Sequence, residues 1–226
     1  MSTPLTAVPP RLLTFEEFLD DGEPGVRYEL IEGVPVEQQP NKAHQLIVLA
    51  LAAYLTRAIS EKGLPYVVTL LGVQISEYMA RIPDLVVCRR EDAAVKEEEE
   101  AGVVRLGVPV VLVVEVASEN WRDDYGKKRA AYARRGVPVY VVVDWRRRCV
   151  VVCREPEEAT GRYQQEVTYR EGEEVVLGEL GGCVLAVSEV LGGAFGEDLL
   201  QEDIERLLAE RAAREAAEAR AKEAEA

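Results

Sequence analysis

Glu115 stands in the middle of VVLVVEVAS, a run that is otherwise almost wholly apolar. Burying a carboxylate in such a strand is costly unless a basic side chain, hydrogen-bond donors or a metal ion pairs with it, and perturbed buried carboxylates concentrate at functional sites. Asp84, in IPDLVVC, is a second candidate, because Pro83 fixes φ just before it and sets the carboxylate at the entry to an apolar strand. On neighbouring strands the two carboxylates can reach one ion. An oxygen-only ligand set favours Mg²⁺ or Mn²⁺.

Four further residues bear on that pair. Glu29, in RYELIEG, is another carboxylate flanked by Tyr28, Leu30 and Ile31, with Arg27 and Glu32 near enough to solvate the edge. Asp124 and Lys128 stand at i, i+4 on the helix expected after Glu115, where the first turn can aim an ammonium group back towards the strand ends; an ordinary surface ion pair has the same spacing. His44 is the sole histidine, which excludes a multi-histidine metal cluster or an HNH-type nuclease site. It lies at the start of a helix and reads first as an ordinary helix-terminus histidine, with approach to a substrate as the alternative.

The elements that must hold these residues follow from periodicity and turn chemistry. Thr14 and Glu17 make a capping box for a short helix through Leu19, ended by Asp21-Gly22 and Pro24-Gly25. Arg27 to Val36 reads as one strand. From Asn41, Leu46, Leu49, Ala50, Ala53 and Leu55 recur at helical spacing until Gly63. Tyr66 to Ile75 and Ile82 to Cys88 read as an antiparallel pair around Glu77, and Glu91 to Gly107 as a mobile acidic connection. Val110 to Ala117, Arg122 to Arg135 and Val139 to Val143 form a β-α-β unit with parallel strands, extended by strands at Cys149 to Arg154 and Gln164 to Tyr169. Cys183 to Val187 and Val190 to Leu191 give a shorter last segment before a helix from Glu197. The fold expected is α/β, a mixed central sheet flanked by helices, with residues 1–196 as one domain and 197–226 as an acidic Ala/Glu/Arg-rich helical tail.

Length and composition fit that picture. The chain has 226 residues and 48% hydrophobic composition, enough for one sizeable core. No run of about 18 apolar residues occurs and the N-terminus lacks the pattern of an export signal, so a cytoplasmic protein with no membrane segment is expected. Cys88, Cys149, Cys153 and Cys183 lie in or beside valine-rich runs and read as buried free thiols. No phosphate-binding loop, Gly-x-Ser-x-Gly elbow or dinucleotide glycine pattern is present.

The net charge of −14 opposes nucleic-acid binding, which draws on Lys and Arg. Its distribution weakens the objection. Glu91 to Glu100 carries six acids against Lys96, and the tail from Glu197 carries ten against five basic residues. Arg122, Lys127, Lys128, Arg129, Arg134, Arg135 and Arg146 to Arg148 can form a positive face on the remaining body; a solvated, ion-paired surface is the alternative.

Taken in order and at their spacings, RYELIEGVPV, LGVQISEYMARIPDLVV, VVLVVEVAS and WRDDYGKKRAAYARRGVPVYVVVDW resemble the Uma-type family of bacterial restriction endonucleases, within the PD-(D/E)xK superfamily. The resemblance runs from about Thr14 to Leu191. It implies a restriction-endonuclease-like core, a Mg²⁺- or Mn²⁺-dependent DNA endonuclease, and a homodimer that cuts both strands. It further implies Asp84 and Glu115 as metal-binding carboxylates, Val116 as a ligand through its backbone carbonyl, and Glu29 as the acidic residue from the first part of the core. The superfamily's E-x-K would put lysine at residue 117, where this chain has Ala117, and Lys128 is the family-like replacement.

Two other readings follow from the same features. Ala117, the acidic charge and the tail also suit a nuclease-like binding or assembly protein that has lost cleavage. A metal held by carboxylates also suits hydrolysis or transfer on another phosphate-containing substrate.

Overall fold

The computed structural model describes residues 11–20, 28–37, 42–93, 102–117 and 121–192. The helix expected from Glu197, the domain division after 196, the Asp21 to Gly25 break, Asn41 as a helix cap and residues 94–101 of the acidic connection lie outside the described residues; the described ends of that connection are ordered as a short helix and a short strand.

Helix α1 (Phe15–Asp20) opens on the expected capping box, with Glu17 N donating to Thr14 Oγ1 at 3.3 Å and Thr14 N to Glu17 Oε2 at 2.9 Å. The single strand expected from Arg27 to Val36 is instead a hairpin of β1 (Tyr28–Ile31) and β2 (Val34–Glu37). Its turn is Glu32-Gly33, with φ of 50° and 79°, the paired positive values that let a two-residue connection match the twist of its strands.

Helix α2 (Lys42–Glu61) buries Ile47, Val48, Leu51, Leu55 and Ile59. Leu46 and Leu49 face outward, because the first half of this helix is apolar nearly all round and periodicity alone cannot choose its buried side. Gly63 ends it at φ 61°, with Leu64 N donating to Ile59 O at 3.0 Å.

Four strands follow: β3 (Tyr66–Thr69), β4 (Gly72–Ser76), β5 (Met79–Arg81) and β6 (Leu85–Arg89). Of the two runs expected to pair antiparallel, Tyr66 to Ile75 is divided between two sheets, whereas Ile82 to Cys88 supplies only β6, and the expected pairing holds between β3 and β6 alone. Strand β4 pairs with β5, whereas β3 pairs with β6. A break at Leu70-Leu71 and another at Ile82-Pro83 carry the chain across. Then come α3 (Arg90–Ala93), β7 (Val103–Val104) and β8 (Val110–Val116). The helix after β8 has three consecutive parts: α4 (Trp121–Asp123), a π-helical turn at Asp124–Lys128, and α5 (Arg129–Arg134). The remainder is β9 (Val139–Asp144), β10 (Cys149–Glu157), β11 (Arg162–Arg170), β12 (Glu174–Leu177), a 3₁₀ turn at Gly178–Leu180, β13 (Cys183–Ala186) and α6 (Val187–Gly192). Strand β12, paired with β13, has no counterpart in the sequence reading.

The central sheet has the order β11-β10-β9-β8-β6-β3, with β8 and β9 parallel as the β-α-β pattern requires and the other neighbours antiparallel. A second sheet, β2-β1-β5-β4-β7, carries a small core of Phe15, Leu30 and Ala80. Alternation along the central strands separates two faces. Leu85, Leu112, Val114, Val116, Val141 and Val143 pack against α2 and α6. Val86, Val113, Tyr140, Val142 and Val151 pack against Ala131 and Tyr132 of the helix after β8. All four cysteines are buried free thiols, and burial raises Cys88 to about 11 and Cys153 to about 12. No helix among the described residues is long and apolar enough to cross a membrane.

Candidate active site

Asp84 follows the crossing at Ile82-Pro83 and immediately precedes β6. The antiparallel register Leu85↔Val114 brings it level with the end of β8, where Val116 N donates to Asp84 Oδ2 at 2.7 Å. His44 Nε2, from the first turns of α2, lies 2.8 Å from the same oxygen. His44 Nδ1 is buried with no hydrogen-bond partner among the described residues.

Glu115 projects from β8 to the opposite face from Val114 and Val116, and is 2% exposed. Its two oxygens are held by two residues one helical turn apart: Lys128 Nζ donates to Oε2 at 2.9 Å and Tyr132 OH to Oε1 at 3.0 Å. Lys128 also lies 3.4 Å from Asp124 Oδ1 and 3.9 Å from Glu29 Oε1. Glu29, 1% exposed, reaches the cluster from the second sheet, its Oε1 accepting from Ile82 N and its Oε2 from Arg81 Nη1, each at 3.0 Å. Arg81 Nη1 continues to Asp123 Oδ2 at 3.2 Å. The Lys128 ammonium thus stands where carboxylates from a strand of each sheet and from its own helix meet, and the Ala117 position contributes none of the charge.

The π-helical turn sets that aim. A turn widened by one residue shifts the side chains beyond it round the helix axis, and such turns recur at functional sites. It contains both Asp124 and Lys128, and Tyr140 OH donates to the Asp124 carbonyl at 2.8 Å.

Electrostatically the cluster is crowded with negative charge. Burial raises the Glu115 carboxyl well above its ordinary value; Lys128 opposes this, while Asp84, Asp124 and Glu29 reinforce it. Burial works against the Lys128 charge, but Glu115, Glu29 and Asp124 outweigh it, so the ammonium is held protonated. Burial, then the Glu115 charge, keeps the Tyr132 hydroxyl neutral and therefore a donor. Glu29, Asp84, Glu115, Asp123 and Asp124 face two permanent cations, Arg81 and Lys128, with His44 beside them.

A divalent cation suits that imbalance and the hard oxygen donors of Asp84 and Glu115. No group of three His, Cys, Asp or Glu side chains with metal-holding geometry occurs among the described residues. Two carboxylates alone fit Mg²⁺, which keeps much of its shell for water and phosphate oxygens.

All five residues singled out from sequence around the strand ends, Glu29, Asp84, Glu115, Asp124 and Lys128, meet here. Val116 enters through its backbone N–H, its side chain lying in the apolar core. Sequence reasoning missed Arg81 and Tyr132. Tyr132 had a signal, since Asp124, Lys128 and Tyr132 recur every fourth residue on one helical face. Arg81 had none, because only the crossing between sheets reveals that it is buried beside Glu29. The expected positive face is divided: Arg135 donates to the carbonyls of Gln74, Arg105 and Val108, while Arg129 and Arg148 pair with Glu166 and Glu171.

The sequence profile of the Uma2 family, described as "Putative restriction endonuclease", matches residues 14–188. Among solved structures, the chain is similar to one from Anabaena variabilis ATCC 29413, described as "a putative nuclease belonging to DUF820". The TM-score is 0.65 at 18% identity, over 80% of this chain and 98% of that one. That likeness supports the same fold. No curated protein matches the chain.

Proposed function

Since the chain belongs to the Uma2 family, we propose that it is a divalent-metal-dependent DNA endonuclease whose centre is the Asp84–Glu115 pair. One observation carries the reading: carboxylates from β6's entry, β8 and β1 converge with Lys128 in a space short of positive charge. Asp84 and Glu115 would hold Mg²⁺ or Mn²⁺, with the Val116 carbonyl as a further ligand. The ion, when bound, supplies Lewis-acid polarisation of the phosphate and a water of lowered pKa.

The protein groups then have separable tasks. Tyr132 fixes Glu115 through Oε1, and Val116 N and His44 fix Asp84, so both carboxylates are oriented before any ion arrives. Lys128, kept protonated by its neighbours, steadies negative charge developing on the phosphate, the part a lysine at 117 plays in the superfamily's usual pattern. Glu29 holds Lys128 from the second side while Arg81 compensates Glu29.

The reading predicts that the purified protein nicks supercoiled DNA with Mg²⁺ or Mn²⁺ and that chelation stops it. Asp84→Asn and Glu115→Gln abolish nicking in folded protein, and Lys128→Met slows it about 10²–10³-fold, as for loss of one preorganised charge-stabilising donor. Nicking by the Asp84→Asn protein at the wild-type rate would overturn the assignment. Metal-dependent turnover of nucleotides without cleavage of DNA would move the substrate elsewhere.

A further inference from the structure

Just beyond the carboxylate cluster lies a group of residues to which the mechanism assigns no part. Trp121 opens the helix after β8, and two guanidinium groups lie over its ring, Arg147 at 4.1 Å and Arg122 at 5.1 Å from the centroid. Arg147 also lies 5.2 Å from the Tyr125 ring, itself edge-on to Trp121 with centroids 6.1 Å apart. Two like charges on one indole repel each other, and among the described residues only one of them, Arg147, has a carboxylate partner. Asp123, next in sequence, is turned inward to Arg81. Asp144 is buried, accepts from Tyr125 OH at 3.1 Å and from Arg147 N at 2.9 Å, and lies 3.7 Å from Arg147 Nε. Among the described residues no carboxylate pairs with Arg122.

The position of this group is fixed by the sheet. Strands β8 and β9 are parallel, with Val116 opposite Val143, so the turn carrying Asp144 to Arg147 leaves the same end of the sheet as Glu115. Arg122 immediately precedes Asp123 on the helix that supplies Lys128. An arginine laid on an aromatic ring presents its N–H edge to solvent with little rotamer freedom left to lose, the form suited to phosphate oxygens.

We propose that Arg122 and Arg147, shelved on Trp121, form a phosphate clamp that seats the polynucleotide backbone beside the Asp84–Glu115 site. The inference rests on the nuclease reading above and deepens it. It also meets the objection raised by the net charge of −14: a local pair of guanidiniums neutralises the strand beside the site.

The test measures binding of a labelled duplex oligonucleotide by the full-length Asp84→Asn protein, with Ca²⁺ in place of Mg²⁺, over a series of salt concentrations. Adding Arg122→Gln and Arg147→Gln should weaken binding at least about tenfold at low salt and reduce the slope of log affinity against log salt by about 1.8, two phosphate contacts at about 0.9 each. Trp121→Leu keeps both charges but removes the shelf, so affinity falls while the slope stays. Both arginines are exposed, so the folded circular-dichroism spectrum is expected throughout; the single substitutions, each lowering the slope by about 0.9, serve if the double variant is unstable. If the Asp84→Asn protein binds and the double variant matches it in affinity and slope, the clamp is wrong and the nuclease reading stands. If the Asp84→Asn protein shows no salt-dependent binding, both fall.

Discussion

The two faces of the central sheet are built from the same strands yet follow different physics. On the α2 side every inward residue of β8, Leu112, Val114 and Val116, is aliphatic and buried, and the face is held by area removed from water. On the other side the same strand offers Val113, then Glu115, with Ala117 just past its end, and the core there includes Tyr132 and Tyr140, whose hydroxyls serve Glu115 and the widened helical turn. Moving one residue along β8 changes the currency from surface burial to paired charge. The apolar face tolerates local loss in proportion to volume. The polar face tolerates little, because any group removed strands a buried partner.

Three substitutions separate these regimes. Arg81→Met leaves the Glu29 carboxylate buried without its main cation, and we expect a loss of about 3–5 kcal/mol in denaturant unfolding, with recovery when Glu29→Gln is added. Additive losses in the double variant would mean that the pair is not coupled. On the apolar side Leu112→Ala should cost about 2–5 kcal/mol through lost transfer energy and a cavity, while leaving the affinity for Mn²⁺, followed by calorimetry in the folded variant, unchanged. A large drop in Mn²⁺ affinity would erase the distinction between the faces.

The smallest effect is one of pH. With Glu115 raised above its ordinary carboxyl value, the folded metal-free protein retains a proton that the unfolded chain releases. The contribution of Glu115 to stability is therefore full at low pH and is lost as pH rises from about 4.5 through the folded-state titration. Glu115→Gln should remove that part of the decline. Mn²⁺ should offset it in the wild type and not in Glu115→Gln. Melting curves across pH with identical slopes for the two proteins would contradict the charge crowding at the site.

Periodicity carried a good deal of this from sequence. The capping box at Thr14, the helix ending at Gly63, the β-α-β unit and the buried thiols are local patterns, in which each residue's neighbours in the chain are also the neighbours that constrain it. The hairpin at Glu32-Gly33 was missed although a Gly-containing turn stood in view, since flanking apolar residues disguised it as continuous strand. The split of Tyr66 to Ile75 between two sheets could not be read at all, as both halves are strand-like and nothing local says which partner each prefers.

The sequence by itself determined that a carboxylate at 115 must have a partner, because burying it uncompensated is too costly, and it offered Lys128 as one candidate, at a spacing that an ordinary surface ion pair shares. Only the tertiary structure decided that Glu29 shares that lysine, that Arg81 must then be buried to compensate Glu29, and that Tyr132 holds the second oxygen of Glu115. These are choices about which charges neutralise one another across separate sheets. Coulomb and desolvation energies depend on distance and burial in space, and spacing along the chain carries neither.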